Sequence, residues 1–330
     1  TTAGVVARVV ALVHFGLLRD SCTAGVAGAA MKTLRRVLSM AAHAVAFERA
    51  IVTGAGSGIG RATAAALCER GLDVYGVGRR EGALRDTANR IGGDKFHPIV
   101  ADVSTPEGRG AIADRIDGAA STILVHNAAT TGPLGPLDAL TLDGFRATMA
   151  SNVEGPLFLT KALMPKLAQG SRVLHVSTGG AHQGFDGMLS YCASKAALRS
   201  VYESLRDEHA GRVCFGSAQP GVVATEMMRG LVRRRCGTCF HAYMVAHAIH
   251  WLIPAQVEDT DDSFAIRSYF TGLADATPDA IAGGPPPVEG LNSPENVARF
   301  FAFLLFDTND DEFGEKDWDI RDEAHHGRWA

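Results

Sequence analysis

From Arg49 onward the chain alternates short apolar runs of strand length with stretches of helix length. Six runs stand out: AIVTG from Ala50, DVYGVG from Asp73, FHPIVAD from Phe96, TILVHN from Thr122, RVLHVS from Arg172 and RVCFGSAQP from Arg212. Each is flanked by polar or glycine-containing turns, which predicts strands buried in a parallel sheet. RATAAALCERG and SKAALRSVYESLRDEHAG lie between such runs, and each closes on a glycine suited to a helix C-cap, Gly71 and Gly211. Strict alternation of strand and helix predicts an α/β fold of Rossmann type, a doubly wound parallel sheet forming one domain over 47–322. Ligands of such sheets bind beyond the carboxyl ends of the strands, where the motifs described next all fall.

At 330 residues and 46% hydrophobic content, the chain can bury a sizeable core. Its formal charge of −4 is small for this length, so neither a nucleic-acid partner nor an acidic solvating tail is expected, and a small-molecule partner is the default. Six cysteines have no spacing that reads as a disulfide framework, which fits a reducing, cytoplasmic compartment. Residues 1–46 differ in character, being rich in Ala and Val, with Asp20 the only acidic side chain before Glu48. The apolar run from Val5 to Leu18 carries Arg8 and His14 and is shorter than the ~18 to 20 residues that span a bilayer, so no membrane anchor is expected. Lys32, Arg35 and Arg36 leave organelle targeting as the alternative to a poorly ordered extension. Residues 323–330 read as a solvated tail.

TGAGSGIG, Thr53 to Gly60, follows the first strand and opens a helix. Gly54, Gly58 and Gly60 permit a tight turn, close backbone approach to a pyrophosphate and close helix packing, while the helix N-terminus favours phosphate charge. At the end of the second strand, where NAD-selective folds place an acidic residue, stands Gly78, followed by Arg79 and Arg80. Guanidinium groups match a 2′-phosphate in charge and fork geometry, so NADP(H) is expected over NAD(H). Tyr191 and Lys195 stand one helical turn apart, so their side chains share a face. A nearby ammonium is expected to pull a phenol down from its usual ~10 toward acid-base use.

Together these pieces resemble the short-chain dehydrogenase/reductase family. The matching words occur in that family's order: the glycine turn, DVS at Asp102 to Ser104, NAA at Asn127 to Ala129, Asn152 in SNVEGP, YCASK at Tyr191 to Lys195 and PGVVAT at Pro220 to Thr225. Near the end, SPENVARFFAFLL resembles the family's last helix and WDIRD its last strand. The wording AHQGFDGMLSYCASKAAL and QPGVVATEM is similar to sepiapterin-reductase-like and benzil-reductase-like members.

The resemblance implies an enzyme that moves hydride between a nicotinamide and a small-molecule carbonyl or alcohol, with Tyr191 as proton donor. Lys195 would bond the nicotinamide ribose, and Asn152 would position a water in the proton relay. Gly54, Ser57, Gly58, Ile59 and Gly60 would hold the pyrophosphate. Asp102 and Val103 would meet the adenine, while Asn127, Ala128 and Ala129 would line the ribose and steady the central strands. Pro220, Gly221, Val223 and Thr225 would hold the carboxamide and nearby phosphate. A homo-oligomer, dimer or tetramer, is expected. The alternative is a dinucleotide-binding regulatory or scaffold protein without turnover.

One departure bears on activity. The family's carbonyl-polarising Ser stands thirteen residues before its Tyr, and that count lands on Thr178, which keeps the donor and adds a methyl group. Ser177 would be a structural neighbour pointing into the fold. A substrate lid or insert is expected at 226–292, longer than the family's usual one. Within it, Cys236 and Cys239 lie near His241, His247 and His250, but the separations do not match a zinc site, and no metal is expected.

Overall fold

The computed structural model describes residues 47–228, 292–315 and 317–322, together with His325 and Arg328. The extension at 1–46, the CGTC segment and all but the edges of the expected lid lie outside these residues.

Seven strands form one parallel sheet: β1 Arg49–Thr53, β2 Asp73–Gly78, β3 Phe96–Val100, β4 Thr122–His126, β5 Ser171–Val176, β6 Val213–Gln219 and β7 Asp317–Asp319. Their spatial order is β3-β2-β1-β4-β5-β6-β7, with every neighbouring pair parallel. All six apolar runs became strands, and the WDIRD segment holds the end of the seventh.

The helices that position the site are α1 Gly58–Glu69, α2 Glu81–Ile91, α3 Pro106–Asp114, α4 Leu142–Met149, α5 Gly155–Leu163, α6 Leu189–Glu208, α7 Pro294–Phe306 and α8 Asp310–Glu315. A π-helical turn, Ala150–Glu154, joins α4 to α5. Gly71 adopts φ +86° just past α1, and its N–H donates to the Cys68 carbonyl, as a helix-terminating glycine should. Thr105, Thr141 and Ser293 cap α3, α4 and α7 by accepting from an amide three residues on, each contributing about 1 kcal/mol.

Successive strand residues face opposite sides, so the sheet feeds two apolar clusters. On one side, Ala50 and Val52 pack with Leu67 of α1 and with Val297 and Phe301 of α7. On the other, Ile51 packs with Ile112 of α3 and Leu163 of α5. Each fully buried large apolar side chain contributes roughly 1.5–3 kcal/mol, which is how a sheet with polar motifs along one edge stays folded. Arg172 of β5 is buried yet satisfied: its guanidinium donates to the carbonyls of Leu304, Leu305 and Thr308 and pairs with Asp310 at 2.8 Å. A cation at the C-terminus of α7 is electrostatically favoured there.

Candidate functional site

The turn after β1 is tied down before it meets any ligand. Thr53 Oγ1 accepts from the amides of Asn127 and Ala128 at 3.0 Å each, and Asn127 Nδ2 donates to the Thr53 carbonyl at 2.9 Å. Asn127 therefore steadies the ends of β1 and β4, as expected, while Ala128 and Ala129 join it in the cleft wall. Gly54 and Gly58 adopt φ +72° and +53°, a region that L side chains rarely occupy. A Cβ on Gly60 would lie 2.3 Å from the Gly54 carbonyl oxygen, so the turn can fold against α1 only with glycine there. Ser57, at the N-cap of α1, makes no side-chain cap, which leaves the helix's first amides directed at the cleft. This cradle fits a pyrophosphate.

Around it, Arg79 and Arg80 line the same cleft, with Arg79 lying 3.8 Å from Asp102 Oδ2 and largely exposed. Asp102 Oδ1 accepts from the Ser104 amide at 2.9 Å and its hydroxyl at 2.7 Å. Burial pushes the Asp102 pKa up, but the Ser104 bonds and the Arg79 charge outweigh it and hold the group below its usual value. The cap of α3 is Thr105, so Asp102 is not the capping residue and its second oxygen faces the cleft.

At the other end stand Thr178, Tyr191 and Lys195. Tyr191 and Thr178 both line the cleft, and the Thr178 hydroxyl is near enough to act on the Tyr191 titration. Lys195 Nζ donates to the Val176 carbonyl at 2.8 Å and lies 5.9 Å from the Tyr191 ring centre. Burial dominates both titrations: it pushes the Tyr191 phenol up to about 12, against the Thr178 hydroxyl, and the Lys195 ammonium down to about 8, against the field of Asp317. The expected net lowering of the phenol is thus not present, because desolvation outweighs the lowering by Thr178. Ser177 also borders the cleft, and its hydroxyl is taken up by Asp317 at 3.0 Å.

Asn152 does not itself line the cleft. It is buried in the π-helical turn; its Oδ1 accepts from the Thr130 amide, and its Nδ2 donates to the Thr130 carbonyl and to Ser194 Oγ. Ser194 in turn donates to the Tyr191 carbonyl at 2.7 Å. With both amide protons used, the side chain braces the Thr130 loop against α6. The π turn brings it there, a common use of such bulges near functional sites.

Pro220, Gly221, Val223 and Thr225 complete the wall of one cleft of about 660 Å³ that also holds the glycine turn and Tyr191. Thr225 sits over that turn: a Cβ on Gly58 would meet its Cγ2 at 3.1 Å. Gly60 and Asn152 support the wall from behind and do not line it. Sequence reasoning missed His182 and Gln219, which line the cleft, and Asp317, which holds both. His182 lies in the loop after Thr178, so its proximity to the reacting end was the available signal. No group of side chains able to hold a metal occurs among the described residues, nor is any described helix long and apolar enough to cross a membrane.

Residues 48–235 match the family model described as short chain dehydrogenase. Serine 3-dehydrogenase of Agrobacterium fabrum is 34% identical over 180 residues, covering 53% of this chain and 72% of that protein. A probable oxidoreductase of Mycobacterium tuberculosis, EphD, is 31% identical over 239 residues, 70% of this chain but only 38% of that longer protein. Among solved structures, a short chain dehydrogenase from Burkholderia cenocepacia in complex with NADP superposes with a TM-score of 0.56 at 26% identity, covering 78% of this chain and 90% of the other.

Proposed function

The chain belongs to the short-chain dehydrogenase family, and from that premise we propose that it is an NADP(H)-dependent oxidoreductase of carbonyls or alcohols with Tyr191 as proton donor. The observation that carries the reading is that Thr178, Tyr191 and Lys195 line the same cleft as the glycine turn. Bound nicotinamide would supply or accept the hydride. The cradle at Gly54 to Gly60 would hold the pyrophosphate, and Arg79 and Arg80 a 2′-phosphate. Asp102, paired with Arg79 through Oδ2 in the cleft wall, would accept from the adenine amino group once Arg79 turns to the 2′-phosphate.

Thr178 would donate to the substrate carbonyl oxygen and polarise it, while the Tyr191 hydroxyl delivers its proton to the same oxygen. A phenol pushed up to about 12 is fully protonated at neutral pH, which suits the donating direction. Lys195, held by the Val176 carbonyl, would favour the phenolate left behind. Asn152 acts one step removed, bracing the helix that carries Tyr191. The test is NADPH oxidation with diketones, aldehydes and pteridine carbonyls. Tyr191→Phe should keep NADPH affinity and lose turnover; an undiminished rate would refute the assignment.

A further inference from the structure

We propose that Asp317, at the start of β7, is a positioning residue that sets the Thr178 hydroxyl against Tyr191 through Ser177, with His182 as its second arm. This rests on the functional reading above. Asp317 collects donors from three elements. Ser177 Oγ at the end of β5 reaches Oδ2 at 3.0 Å, Ser217 Oγ of β6 reaches Oδ1 at 2.8 Å, and Gln219 Nε2 of β6 reaches Oδ2 at 3.0 Å. His182 Nε2, from the loop following Thr178, lies 2.7 Å from Oδ2.

A carboxylate accepts only, so His182 Nε2 must carry the proton. Its Nδ1 then accepts from Arg199 Nη1 at 3.1 Å, since a guanidinium only donates. Three of these donors converge on Oδ2 and one on Oδ1, and an amide in place of the carboxylate would turn an NH2 toward at least one donor. The Asp317 side chain is 7% exposed, so such a mismatch has little water to relieve it.

The consequence reaches the reacting end by geometry. Ser177 and Thr178 are consecutive at a strand end and both border the cleft. Fixing Ser177 on Asp317 from one side, and His182 four residues beyond Thr178, fixes the turn between them. The Thr178 hydroxyl is thereby held toward Tyr191 before substrate arrives. Asp317 also faces Lys195 electrostatically and opposes the loss of its proton in the buried site. The groups around that charge are His182, Lys195 and Tyr202, with Arg199 beyond His182; those around Lys195 include His126 and His175.

Asp317→Asn and Ser177→Ala, singly and combined, provide the test, with kcat, NADPH affinity and the pH profile of kcat measured on the full chain. Each single change is expected to lower kcat by on the order of 10- to 100-fold at nearly unchanged NADPH affinity, the scale of a small misplacement of a reacting group. The double variant should lose little more than the worse single one, because both break the same tether. Asp317→Asn should also move the alkaline limb of kcat to lower pH, since removing the anion makes the Lys195 ammonium easier to deprotonate. Additive losses, an unmoved alkaline limb, or unchanged kcat in Ser177→Ala would each overturn the proposal, and the last does so even if Asp317→Asn fails to fold. Failure of the functional reading looks different: unmutated protein without NADPH-dependent turnover, or full turnover in Tyr191→Phe.

Discussion

His126 and His175, on adjacent strands β4 and β5, should make the protein acid-sensitive. Their rings stand 4.9 Å apart in the core, and both side chains are buried to within 3% exposure. His126 Nε2 meets Thr160 Oγ1 at 2.8 Å, whereas neither ring nitrogen of His175 has a hydrogen-bond partner. Desolvation, with the nearby Lys195 charge, pushes His126 down to about 3, and desolvation with His126 and Lys195 pushes His175 well below its usual value. Both stay neutral in the fold, while in the unfolded chain they take up protons below about pH 6.5. The unfolded state then binds more protons, so stability is intact above that value and falls as pH drops toward the folded values. Each group contributes up to about 1.4 kcal/mol per pH unit, so the pair should cost about 2–3 kcal/mol between pH 7 and 5.5. For a domain of this size that is a fall in Tm of roughly 5 °C.

Thermal unfolding across that range, compared with His175→Phe, isolates the effect. Phe suits a site bordered by the rings of Tyr202 and Phe215 and gives up no hydrogen bond. The variant should show about half of the histidine-dependent drop. Carboxylates and other groups titrate equally in both proteins and cancel in the difference. Curves that run parallel from pH 7 to 5.5 would show that His175 is not held neutral, and the argument from desolvation would fail.

Two further outcomes follow from the cleft. Thr178→Val keeps the shape and removes the donor, and should lower kcat by about 10²-fold or more, whereas Thr178→Ser should retain activity; steady-state kinetics on both checks this, and an active Val variant would assign the polarising role elsewhere. Arg79→Asp should lose or reverse a preference for NADPH over NADH, because the new carboxylate repels a 2′-phosphate and accepts from ribose hydroxyls; equal affinities in the unmutated protein, read by titration of both cofactors, would remove the basis for that role.

The six strand runs, the glycine turn and the Tyr191 to Lys195 spacing were legible because each is a local property. An apolar run between turns has few ways to be buried, a left-handed turn needs glycine, and residues four apart on a helix share a face. Tertiary structure decided what lies across long separations. Asp317 meets Ser177 from 140 residues away only because β7 adds beside β6, and nothing in DWD announces that neighbour. It also decided the titration of Tyr191 and Lys195: spacing supplies the pair, but the depth of burial sets which of desolvation and charge is larger. The partners of Asn152, Thr130 and Ser194, were likewise set by packing, because hydrogen-bond partners are chosen by which groups the packed chain brings within 3 Å.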